Sequence, residues 1–355
     1  MNITEEDVRA ATAAGIIDEG QAARLTSLAH SRASRIARDL AEDEPFELFR
    51  GFAEIFVSVG LILLVSGTMA LAAFIGGVFV IAPMLIISCW VAALYFTVNR
   101  RMTLPSIVLV SGFSLGVGTF IAWLMELVGL PDDQGWVIAL FGLLGIGAML
   151  AYYRKFYVPF AMFVAGLYGL AVVFGVMGTV TTGDMVGEDW ETMFDLRQGG
   201  SFAIATLVFG GLAFIAGLWF DTRDPHRIGR MARSAFWLHL LAAPALVNTV
   251  MMTAFNVQGS TGMVLTIVGL IIITVFALVI DRRSFLTAGL GYLAAVIIWA
   301  MQIGDNDLLF PVLMLILGGI VTFLGTFWTQ LRVRVMRALP NFPGKDRLPP
   351  YEAGV

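Results

Sequence analysis

Arg100-Arg101-Met102-Thr103-Leu104-Pro105-Ser106-Ile107-Val108-Leu109-Val110-Ser111-Gly112-Phe113-Ser114-Leu115-Gly116-Val117-Gly118 sets a basic pair against a stretch with no charged side chain before Glu126. About 20 apolar residues cross a hydrocarbon core roughly 30 Å thick, and a helix satisfies their backbone there. The pattern of basic pair, proline and glycine returns at Arg154-Lys155-Phe156-Tyr157-Val158-Pro159, with Gly166 in the place of Gly112. Proline suits the first turn of a helix, where its missing N–H costs little. A glycine seven residues further on shares its face and admits a close neighbour. The stretch reads as the inner turn of a transmembrane hairpin, and the chain as a set of such hairpins.

Composition agrees. Of 355 residues, 58% are hydrophobic and 14% charged, against about 25% charged in a soluble domain. The net charge is −4, and where the charges lie matters more than their sum. The single cysteine, Cys89, excludes an intrachain disulfide and a multi-cysteine metal site. The first apolar run begins near Gly51, behind the mostly polar residues 1–50. A cleavable signal peptide would instead place its short apolar core at the extreme N-terminus.

Ten spans are predicted, at 51–75, 78–98, 105–127, 135–153, 157–178, 201–220, 234–254, 262–280, 285–302 and 308–330. With the N-terminus inside, the inner segments are 1–50, 99–104, 154–156, 221–233, 281–284 and 331–355. They hold every one of the 22 Lys and Arg residues except Arg197. The outer segments carry Asp132, Asp133, Asp184, Glu188, Asp189, Glu191, Asp195, Asp305 and Asp307. This asymmetry is the positive-inside rule, and it predicts that both termini are cytoplasmic. Every tryptophan but Trp90 falls near an expected interface, where an amphipathic ring is favoured. The fold class is therefore an all-α polytopic helix bundle, with the lipid bilayer as its first partner.

Residues 1–50 read as a cytoplasmic helical hairpin and interfacial elbow. Thr4 is placed to cap a first helix, with Ile3 stapling onto Val8, and Gly15 suits its left-handed end. Asp18 with Gln21 spells a second capping box, opening a helix with the apolar stripe Leu25, Leu28, Ile36 and Leu40. This hairpin docks under its own bundle or, through its arginines, meets a membrane or cytoplasmic protein partner. Residues 51–330 form the membrane domain, and 331–355 a basic, proline-rich tail, expected to be disordered from Ala338 onward. Gly76-Gly77 leaves almost no loop between the first two spans. Residues 179–200 are the longest outer loop, with Asp189 placed to cap a short surface helix.

The repeat admits two divisions. Aligning Arg101 with Lys155 superposes Pro105 on Pro159 and Gly112 on Gly166, so spans two–three and four–five look like duplicated hairpins. Arg282-Arg283 opens a looser third version, and Pro311 with Gly318 keeps the spacing in the last span. The alternative is two inverted five-helix halves, 51–179 and 200–330, an arrangement common in transporters. Serial hairpins are the preferred division.

Ionisable groups at mid-membrane mark function by default, and few are present. Glu54, one turn into span one, is placed to pair with Arg50. Glu126 is placed to reach water at the outer end of span three. His239 in span seven lies deepest, with Pro244 freeing the carbonyl of Leu240, and Asn248 and Thr249 a turn later. A broken ladder beside polar groups is one way to build a small-ligand path. His239 and Asn248 nevertheless face nearly opposite sides of a helix, so each bonding across to another helix is the plainer reading. Pro83 similarly frees the carbonyl of Phe79. Gly112, Gly116, Gly166 and Gly318 are expected close-packing points. The scattered histidines, with no HExxH, GxSxG or P-loop, point to no catalytic residue, metal, cofactor or nucleic-acid partner.

Ala14-Gly15-Ile16-Ile17-Asp18-Glu19-Gly20-Gln21-Ala22 and the first span, Phe56-Val57-Ser58-Val59-Gly60 through Gly67, resemble the bacterial membrane proteins catalogued as domain of unknown function 2157. The resemblance covers residues 8–75 by motif and the rest by layout. It implies a bacterial cytoplasmic membrane, and it supplies no activity. Two functional classes are expected: a non-enzymatic scaffold or assembly protein, or a permease for a small neutral or lipid-like solute with a path near span seven.

Overall fold

The structure is a computed structural model that describes residues 5–18, 20–22, 24–25, 51–131, 134–180, 193–198, 200–224, 227, 229–301, 309–342, 344–349 and 351. Two units divide the chain, Met1–Pro45 and Phe46–Val355. In the first, helix α1 (Glu5–Ala13) ends at Gly15, whose φ of 68° is the left-handed conformation glycine tolerates. Asp18 and Gln21 then form a reciprocal capping box. The Asp18 N–H donates to Gln21 Oε1 at 3.0 Å, and the Gln21 N–H to Asp18 Oδ1 at 2.6 Å. The Thr4 cap, the Ile3 staple and most of the second helix's apolar stripe lie outside the described residues.

The second unit is built from α2 (Phe52–Gly76), α3 (Val78–Ala93, continued by a π-helical turn Leu94–Asn99), α4 (Thr103–Leu127), α5 (Gly135–Phe156), α6 (Phe160–Val180), α7 (Gly200–Asp221), α8 (Arg230–Phe255), α9 (Ser260–Ile280), α10 (Ser284–Met301) and α11 (Leu309–Ala338). Among the described residues, nine helices are long and apolar enough to cross a membrane; the described apolar part of α10, Ser284–Ala294, is shorter. Large apolar side chains cover the outside, Phe74 at 92% and Ile75 at 77% exposure among them. Water would penalise such a surface, whereas lipid matches it. The chain is a polytopic membrane-type bundle.

At three of the four basic turns the joined helices, α3–α4, α5–α6 and α7–α8, pack along each other far more extensively than those joined at the opposite turns; α9–α10, joined at the fourth, do not. The turns differ in chemistry as well. The basic ones each contain a non-glycine residue at positive φ: Arg101 (54°), Tyr157 (54°), Arg227 (53°) and Asp281 (56°). The opposite ones use Gly77, Gly129, Gly200 and Gly259. Left-handed backbone disfavours a side chain, so each basic turn adopts this conformation at a cost, while glycine adopts it freely. Two apolar cores result. One joins α2 to α6 around Cys89, Phe113, Tyr152 and Phe156, and the other joins α6 to α11 around Phe209, Val247, Met251 and Trp328.

Several expectations are corrected. The two repeat glycines meet different neighbours: a Cβ on Gly112 would stand 2.7 Å from Cys89 Sγ inside its own hairpin, whereas one on Gly166 would strike Leu241 of α8. Gly116 packs as closely, 2.8 Å from Leu85 Cβ. A Cβ on Gly318 instead meets nothing within 4 Å among the described residues, and α11 is the most exposed of the long helices. Trp328, at the basic end, is fully buried rather than facing outward. The tail is not loose over its described part. Helix α11 continues to Ala338, Lys345 Nζ donates to the Met336 and Leu339 carbonyls at 2.8 and 2.9 Å, and Arg332 donates to Pro349 O at 2.6 Å. Cations at a helix C-terminus satisfy its orphan carbonyls and oppose its dipole. The surface helix expected at Asp189 falls outside the described residues. Leu196 N–H donates to Thr253 Oγ1 at 3.0 Å and Arg197 lies against Asn256 O.

Candidate functional site: an ion network beside an apolar groove

Helices α7, α9 and α11 all end on the basic face of the bundle, and two of them end in an aspartate. Asp221 is the last residue of α7 and Asp281 caps α9. A carboxylate there meets the negative pole of the helix, an unfavourable placement unless a cation answers it. Each acid is answered from the other hairpin's turn. Arg282, in the α9–α10 turn, donates through Nε (3.3 Å) and Nη2 to Asp221, and through Nη2 to Ala232 O at 3.2 Å. Arg227, in the α7–α8 turn, donates through Nη1 to Asp281 Oδ2 at 2.9 Å and through Nη2 to the Ile280 and Asp281 carbonyls at 3.2 and 2.7 Å. Trp328 Nε1 donates to Asp281 Oδ1 at 2.8 Å, and Arg332 Nε lies 3.6 Å from the same oxygen while donating to Leu278 O at 3.2 Å. The two hairpins and α11 are thus cross-tied at one end.

His239, one of the residues singled out in the sequence, belongs to this network. Its Nε2 lies 2.9 Å from Asp221 Oδ2, and Phe214 and Phe285 flank its ring at 5.4 and 6.1 Å. Gly217 leaves the space: a Cβ there would stand 2.8 Å from His239 Cε1. Asp221, His239 and Arg282 are at most 4% exposed. Buried charges of this kind are sustained only by mutual pairing and hydrogen bonding. Nδ1 of His239 and Nη1 of Arg282 are buried without a hydrogen-bond partner among the described residues. Nearby, Asp224 accepts from the N–H groups of Gly229 (2.7 Å) and Ala232 (3.4 Å), tying down the first turn of α8.

The other polar residues of span seven do not join His239. Thr249 Oγ1 lies 2.8 Å from Thr206 Oγ1 of α7, and Asn248 accepts from the Tyr292 hydroxyl of α10 through both its backbone and side-chain oxygens. Between them and His239 stand Ala242, Ala243 and Val247, all buried. Pro244 is exposed and α8 continues through it, as α3 does through the half-buried Pro83. Glu126 is exposed. Glu54 is 7% exposed and accepts from the N–H groups of Thr103 and Leu104, each at 3.1 Å. It caps α4 in place of Met102, which has no acceptor side chain; its expected partner Arg50 lies outside the described residues.

Sequence reading missed Asp221, Arg282, Asp281, Arg227, Trp328 and Arg332, each taken for an interfacial or loop residue. The available signal was an aspartate at or just past the end of both α7 and α9, with an arginine in each following turn.

Beside the network lies a cavity of about 1070 Å³ between the α5–α6 and α7–α8 hairpins. Its walls are apolar, with Leu150, Met162, Gly169, Leu212 and Ala216 along its length, and Tyr153, Tyr157, Trp219 and Arg230 at the basic end. The Tyr153 hydroxyl lies 3.1 Å from Ser234 Oγ and ties the two hairpins together below it. Among the described residues, no group of three or more His, Cys, Asp or Glu is placed to hold a metal ion. Comparison with family models, curated proteins and solved structures returned no match.

Proposed function

We propose that the chain is a ten-span protein of the bacterial cytoplasmic membrane, with both termini on the arginine-rich face, acting as a non-enzymatic interaction or assembly protein. The observation that carries this reading is the use made of the polar residues. His239, Asn248, Thr249, Glu54, Arg227 and Arg282 bond helix to helix or cap helix ends, and apolar residues separate the two polar layers. Residues 1–50 would then present a partner-binding hairpin, and membership of the group named above is proposed on the same stretch.

Single cysteines at positions 133 and 345, in a Cys89→Ser background, test the topology. A membrane-impermeant maleimide should label position 133 in intact cells, and position 345 only after permeabilisation. Labelling of both from one side would sink the ten-span map. A native gel tests the role: deleting residues 1–45 should dissolve any complex the protein forms, and Asn248→Leu should leave it intact.

The groove favours a second reading, a carrier for a lipid-like solute beside span seven. In proteoliposomes a carrier would flip a fluorescent phospholipid faster than empty vesicles do. The interaction reading expects no difference.

A further inference from the structure

We propose that the groove between α5–α6 and α7–α8 is a binding site for one anionic phospholipid of the cytoplasmic leaflet, held as a bound component of the fold. The inference rests on the membrane reading above, and it holds for either role of the protein.

Length, shape and charge point to this occupant. Along α7 the groove runs from Phe209 to Phe220, a difference of 11 residues. At 1.5 Å per residue that is about 17 Å, roughly half of a 30 Å hydrocarbon core. It therefore matches the depth of one leaflet, the length of a single lipid's chains. The walls offer hydrocarbon only, with small residues at Gly169, Ala213 and Ala216 admitting a chain between the helices. At the open, basic end stand the groups that recognise a headgroup. Trp219 and Tyr157 are half exposed, at 51% and 52%, the depth that aromatic belts occupy. Arg230 lies over the Tyr157 ring, 5.4 Å from its centroid, and Arg223 over Trp219 at 3.4 Å. Both arginines are exposed, and neither has a carboxylate within ion-pair distance among the described residues. Basic pockets between transmembrane helices on the cytoplasmic side suit anionic headgroups.

A second copy of this chain fits the charge poorly. On the basic face of the Phe46–Val355 unit, Asp221 and Asp281 are held in the ion network, Asp224 at the start of α8, and Glu54 on α4. None of these described carboxylates is free to neutralise Arg230 from a neighbouring molecule. A phosphodiester brings its own charge together with the chains that fill the groove.

The test uses the full-length protein in phosphatidylcholine vesicles that contain a minor fraction of phosphatidylglycerol with brominated chains. Bromine quenches nearby tryptophan, and the Trp219 contribution is the difference between the native protein and Trp219→Phe. Saturable quenching by brominated phosphatidylglycerol is expected, with brominated phosphatidylcholine much weaker. Arg230→Gln should raise the half-saturating fraction about fivefold. Ala216→Leu, which fills the groove and leaves Arg230 in place, should abolish saturable quenching. Equal quenching by both lipids, or no change in either variant, would overturn the site and leave the membrane reading standing. Failure of the protein to float with vesicles would overturn the membrane reading itself. Exclusion of both lipids by a cross-linkable dimer through this face would assign the groove to a second copy instead.

Discussion

Asp221 sits at the negative end of α7 and is answered by Arg282 and His239, each fully buried. Removing one partner of a buried pair strands the other, at a cost of about 3–5 kcal/mol. Asp221→Asn or Arg282→Gln should therefore lower the thermal midpoint of the detergent-purified protein sharply. Asp221→Leu with Arg282→Met removes both charges, and its loss should be smaller than the sum of the single losses. Equal and additive losses would mean that the two side chains do not act together. Two glycines make a second comparison at this scale. Gly217→Ala drives a methyl against the His239 ring and should destabilise by about 1–3 kcal/mol. Gly318→Ala meets open space and should be neutral or stabilising by up to about 1 kcal/mol, from helix propensity alone.

Turns carry the regularity at the scale of elements. Gly259 has φ 76° and ψ −163° at the start of α9, a region essentially reserved for glycine. Gly259→Ala should cost about 1–3 kcal/mol in unfolding measurements. Arg101 holds φ 54°, where a side chain is disfavoured by roughly 1–2 kcal/mol. Arg101→Gly should be tolerated, and a large loss there would show that the guanidinium bears on the fold. The hairpin motif of the sequence was legible as a turn but misregistered. Aligning Arg101 with Lys155 matches the prolines, yet the left-handed residues are Arg101 and Tyr157, two places out of step. Spacing along a chain reports which residue types recur, and the turn geometry depends on which carbonyls the neighbouring helices leave to be capped.

At the scale of the whole molecule, the chain from Phe46 onward forms its own compact unit. A protein beginning at that residue should insert and unfold with an unchanged midpoint, as followed by circular dichroism; a large drop would show that the N-terminal hairpin is part of the bundle's stability. The membrane character, the helix positions and the gathering of arginines at one end were legible in the sequence. They follow from local quantities: a run of apolar residues long enough for lipid, and a charge that cannot be left within it. The Asp18–Gln21 box was legible for the same reason, since three residues of separation fix it. Where the polar side chains go was decided only by tertiary structure. Asp221 meets Arg282, Arg227 meets Asp281, and Glu54 reaches the start of α4. Those pairs lie about 50 to 60 positions apart in the chain, and a periodic pattern fixes which face a helix buries without naming the neighbour that covers it. The groove beside them has the same origin, as a gap between two hairpins whose separation no stretch of either one records.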